Sequence, residues 1–187
     1  MRKYRVAVAA ATVTIVFLVA AFAGLSHAQD AAKPAAKAAE KQAAFLSNKP
    51  CQMCHKGAAK GEIYEKWVAS SHSKAFTVLP AEAKKNPKCF ACHTTGAGKT
   101  GGYDPAAKNA LDLEGVGCES CHGAAGDYKL IHMKDKAKAL TLGLVIPTEA
   151  TCKSCHAGAV PEGHKALPKF DFAVSKTKIE HKLPPKK

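Results

Sequence analysis

Four times along this 187-residue chain, two cysteines separated by two residues are followed at once by a histidine. The four sites are Cys51, Cys54 and His55; Cys89, Cys92 and His93; Cys118, Cys121 and His122; and Cys152, Cys155 and His156. Paired cysteines in an exported chain ordinarily suggest a disulfide framework, and cysteine mixed with histidine also suits zinc. Neither chemistry explains why a histidine always follows the second thiol, nor why no cysteine lies outside these motifs. Covalent c-type haem explains both, because C-x-x-C-H is its attachment sequence. The two thiols add to the vinyl groups and the adjacent imidazole is held under the iron. The expected cofactors are therefore four covalently bound haem c groups, with His55, His93, His122 and His156 as proximal ligands.

An iron held from one side has an opposite face, and whatever fills it sets the chemistry. Methionine would raise the potential, a second histidine makes a low-spin carrier of lower potential, and an empty face admits small ligands. Met53 sits inside its own attachment loop, so Met133 is the one methionine within reach, and packing is its expected use. Four further histidines follow the export signal proposed below: His72, His132, His164 and His181. Four irons and four spare imidazoles match in number, although a solvent-exposed histidine is an alternative for each.

These groups need a compartment and a scaffold. Residues 1–28 carry Arg2, Lys3 and Arg5, an apolar run from Val6 to Leu25, and the small residues Ser26 and Ala28. That is the layout of a signal peptide, so cleavage after Ala28 and a periplasmic location are expected. The apolar run is also long enough for an uncleaved anchor, which would be the chain's one contact with a membrane. An Ala/Lys-rich spacer is expected over 29–48, and a tetrahaem domain over 49–187. Few residues are then available per haem, so the cofactors themselves should form most of the core. Helices are expected around Glu62–Ser71 and Asp171–Lys182, with Asp171 as an N-cap. "KNPK" and "GAGKTGGYDP" read as surface loops. The fold class is mainly α with extensive loops, compact around the haems, with little or no β-sheet.

The formal charge of +13 falls to +10 once the signal's three basic residues leave, and haem propionates would offset most of the remainder. Nucleic acid is not an expected partner, since few aromatics are present to stack on bases. Seven lysines from Lys165 to Lys187 stand against Asp171 and Glu180, a solvated tail or a docking face for acidic redox partners.

Several segments resemble the cytochrome c-554 family of tetrahaem c-type cytochromes. They are W-x-x-S-x-H-x-K-A-F from Trp67 to Phe76, "GGY" after the second motif, "GVGCESCHG" followed by "YKLIH", and F-x-F leading into a helix ending in "EH" at His181. The resemblance implies haems in stacked pairs, three bis-histidine irons and an open second one. It implies His132 opposite His55, His181 opposite His122, and His72 opposite His156. The short link from Ala157 to Lys169, with its extra His164, departs from the family pattern. The expected function is electron relay between redox partners through closely packed haems, without substrate turnover. Two alternatives are reduction of a small ligand such as nitric oxide at an open second haem, and a haem-filament subunit, in which the chain would oligomerise.

Overall fold

A computed structural model describes residues 43–184; the expected signal peptide and most of the expected spacer lie outside the described residues. Seven α-helices occur in this span: α1 (Lys49–His55), α2 (Ile63–Ala69), α3 (Pro87–His93), α4 (Cys118–His122), α5 (Lys136–Thr141), α6 (Glu149–His156) and α7 (Phe172–Thr177). Short 3-10 turns cover Ala58–Lys60, Ala83–Lys85 and Ala110–Leu113. Among the described residues there is no strand, only an isolated antiparallel bridge between Thr94 and Glu114. No helix among them is long and apolar enough to cross a membrane.

Each haem motif turns out to be a helix that ends on its histidine: α1, α3, α4 and α6. The spacing alone accounts for this. Residues at i, i+3 and i+4 share one face of a helix, so helical backbone aims both thiols and the imidazole at one body. Helices of five to eight residues are marginal by themselves, and local caps hold several of them. Asn86 accepts from the Lys88 N–H at 3.0 Å, with Pro87 opening α3. Asp135 accepts from Lys138 at 2.8 Å and starts α5. The Thr151 hydroxyl accepts from the Thr148 N–H at 3.1 Å at the head of α6.

The protein's own core is sparse. One cluster joins Phe45, Phe76, Phe90, Tyr103 and Leu113; another joins Ala125, Tyr128 and Ala139. Phe90 and Tyr103 meet edge to face at 5.1 Å, and Phe76 lies 5.4 Å from Tyr103. Many large apolar side chains stay exposed, Val78, Leu111 and Leu130 among them.

Four sequence expectations need correction. The spacer does not extend to residue 48: Phe45, Ser47 and Asn48 are buried, so the domain begins before residue 49. Within "GAGKTGGYDP", Tyr103 is only 6% exposed, because this loop folds back onto the Phe76–Phe90 cluster. Met133 is 62% exposed and packs in no core. Finally, α2 and α7 are both shorter than the expected spans, and His181 stands beyond the end of α7.

Candidate haem-binding sites

The third motif is the most heavily fastened. Its entry, Gly115-Val116-Gly117, is held from three sides. The Trp67 indole donates to the Val116 carbonyl at 2.9 Å. The Thr95 hydroxyl donates to Gly115 O and accepts from Gly117 N, both at 2.9 Å, and Asn48 Oδ1 accepts from the Cys118 N–H at 2.8 Å. A Cβ at Gly117 would lie 2.5 Å from the Asn48 oxygen and 2.7 Å from the Thr95 hydroxyl, so a larger residue here would have to displace both of these hydrogen-bonded side chains. Gly115 has φ +80°, a left-handed conformation that glycine adopts without strain. The exit is closed by Tyr128, whose hydroxyl reaches the His122 and Gly123 carbonyls at 3.0 Å.

Glu119, between the two cysteines of this motif, is 2% exposed. Its carboxylate accepts from the N–H groups of Leu46, Ser47 and Ala125 at 2.9, 2.9 and 2.7 Å. Burial pushes its carboxyl above the ordinary range, and the three N–H donors pull against that rise. A buried carboxylate needs such partners. Here they tie the start of the domain to the middle of the third motif. Neither Glu119 nor Asn48 stood out in the sequence as a functional residue. A charge inside C-E-S-C-H was a visible signal for Glu119, whereas Asn48 had none.

Eight imidazoles pair off across the fold. Ring centroids are 5.9 Å apart for His55 and His132, for His72 and His156, and for His122 and His181. His93 and His164 are 6.3 Å apart. Two imidazoles on one metal, with bonds of about 2.0–2.1 Å and roughly 1.1 Å from nitrogen to ring centre, need about 6.3 Å between centroids. All four pairs meet that requirement, so the residues present fit haem iron. Burial lowers the basicity of His55, His72 and His122, which keeps them in the neutral form that binds metal. The Nδ1 atoms of His93 and His122 face the carbonyl oxygens of Ala75 and Val145 at 2.6 and 3.2 Å. A carbonyl can only accept, so Nδ1 carries the proton and Nε2 is left for a metal.

The thiols also fall into pairs. Cys51 and Cys118 are neighbours, and each acts on the other, holding the first thiol down while the second is pushed up. Burial first, and then Cys155, push the Cys92 thiol up to about 11. The first motif therefore adjoins the third, and the second adjoins the fourth. A cavity of about 680 Å³ lies between Cys89, His93 and His164, with Val78 and Leu79 on its wall. That volume is within the range of roughly 300–1,000 Å³ usual for cofactor sites.

The structure thus brings His132, His181 and His72 to the partners that the resemblance implied. It also sets His164 over the second motif, where the resemblance implied an open face.

Known proteins resemble this chain in both sequence and fold. Residues 50–123 match the family described as cytochrome c554 and c-prime. Cytochrome c-554 of Nitrosomonas europaea is 30% identical over 142 residues, which are 61% of this chain and 58% of that protein. The match thus spans little more than half of the relative's length. The solved reduced state of cytochrome c554 from Nitrosomonas europaea superposes with a TM-score of 0.51 at 27% identity, covering 73% of this chain and 78% of that one. Sequence and fold thus both resemble cytochrome c-554, with the family match confined to residues 50–123.

Proposed function

We propose that this chain is an exported electron carrier that holds four haem c groups and works in the periplasm between redox partners. When bound, haem iron supplies reversible one-electron exchange. The observation that carries the reading is the set of four opposed imidazole pairs, each beside its own pair of cysteines. Cys51 and Cys54, Cys89 and Cys92, Cys118 and Cys121, and Cys152 and Cys155 would hold the groups covalently.

In each pair the two histidines come from segments far apart in sequence, so each ring is set by different neighbours. Such double anchoring keeps the metal environment the same in both oxidation states, which suits a carrier. The adjacency of Cys51 to Cys118 and of Cys92 to Cys155 supports close packing of the first group with the third and the second with the fourth. Exposed Lys165, Lys169, Lys176, Lys178 and Lys182 form a basic margin. It would steer an acidic partner, with an ionic-strength dependence that decides the rate.

The test is intact mass and reductive titration of protein matured in a host that attaches c-type haem. The expected product begins at Gln29, carries four haems and takes up four electrons per chain. Fewer haems, or fewer electrons than haems, would overturn the proposal.

A further inference from the structure

His164 lies on the link that departs from the family pattern, and the fold nonetheless brings it to the second motif. We infer that His164 is the sixth ligand of the iron held at His93, so that the second site is closed to external ligands. The inference rests on the reading that haem is attached at Cys89 and Cys92.

Three observations carry it. The rings of His93 and His164 are 6.3 Å apart, a separation that two imidazoles on one iron require, and the other three pairs lie at 5.9 Å. The His164 Nδ1 meets the Lys165 carbonyl at 2.5 Å, just as His93 Nδ1 meets that of Ala75. Both rings therefore carry their proton on Nδ1 and offer Nε2, the arrangement of a metal-bound histidine whose other nitrogen is fixed by a backbone oxygen. The cavity between them is lined by Cys89, His93 and His164 together, so thiol and both imidazoles face one space of cofactor size.

The local chain explains how the ring arrives there. Gly163 has φ +80°, and His164 N donates to Pro161 O at 3.1 Å, a tight turn that reverses the link and presents the next residue. His164 is on an exposed stretch, whereas the other seven paired histidines are half-buried. A histidine merely solvated on such a stretch would have no reason to keep its ring opposite His93 with Nδ1 engaged.

The experiment uses the full haem-loaded protein, with haem count by mass, oxidised absorption and paramagnetic-resonance spectra, and carbon monoxide titration after reduction. The wild type should show all haems low-spin and bind no carbon monoxide. His164→Ala should turn one haem in four high-spin and bind one carbon monoxide per chain. A wild type that already has one high-spin haem in four, or binds one carbon monoxide per chain, overturns the assignment. So does an H164A protein that stays fully low-spin. If H164A does not fold, the wild-type spectrum and titration alone decide the matter. A haem count below four overturns the underlying reading and this inference with it; four haems with one open iron overturns this inference alone.

Discussion

Glu119 shows how much a single side chain can organise. It gathers three backbone N–H groups from two segments into the middle of a haem motif. Glu119→Gln keeps an oxygen acceptor, but its amide nitrogen would face donors that then lack a partner. The expected cost is about 1–3 kcal/mol at neutral pH, measurable as a lower midpoint in chemical denaturation. Burial lifts the carboxyl above its ordinary range, so the folded protein binds a proton there at a higher pH than the unfolded chain. Its contribution to stability is therefore complete below the ordinary carboxylate value and is lost as pH rises through the folded value. The glutamine variant cannot titrate, so its stability should lack that decline. Parallel wild-type and variant profiles would show that Glu119 is not the titrating group.

At the scale of elements, helix α7 exists to deliver the residues after it. Asp171 accepts from the Val174 N–H at 3.0 Å, an N-cap whose loss typically costs about 1 kcal/mol. Asp171→Ala should therefore fray α7 and loosen His181 from its place opposite His122, read as partial high-spin character of one haem. An unchanged spectrum would mean that His181 is held by its own surroundings, such as the Ile179 carbonyl 3.1 Å from its Nδ1. The Asp171 cap was legible in the sequence because aspartate before an apolar helix start has a local meaning. Haem attachment was equally legible, since the cysteine and histidine types and their spacing state the chemistry outright. The helical form of the motifs was implicit in the same spacing, yet hydrophobic periodicity, the usual guide, is missing from segments as short as Cys-Glu-Ser-Cys-His. Phe45 and Asn48 could not be read at all. They lie in and just beyond an Ala/Lys-rich run, and their partners Tyr103, Leu113 and Cys118 are far along the chain. His164 was visible as a fourth spare imidazole, but its place opposite His93 was not, because only the fold brings the link after α6 against Leu79 and His93.

For the whole molecule, the small clusters around Phe90 and Tyr128 cannot replace the stabilisation that cofactor attachment and ligation supply. Chain produced without haem attachment should lack a cooperative thermal transition and exchange its amides rapidly, whereas the loaded protein should melt cooperatively. A cooperative melt of the haem-free chain would show that the polypeptide core suffices. The histidine pairs have a further consequence. Along the chain the first members run His55, His72, His93 and His122, and their partners follow in the same order: His132, His156, His164 and His181. Every pairing therefore overlaps every other, so with haem bound as proposed none could be peeled away as a separable module. A protease cutting once between Gly123 and Ile131 would release nothing: each fragment would keep one histidine of every pair, and four iron bridges would still rivet the halves together.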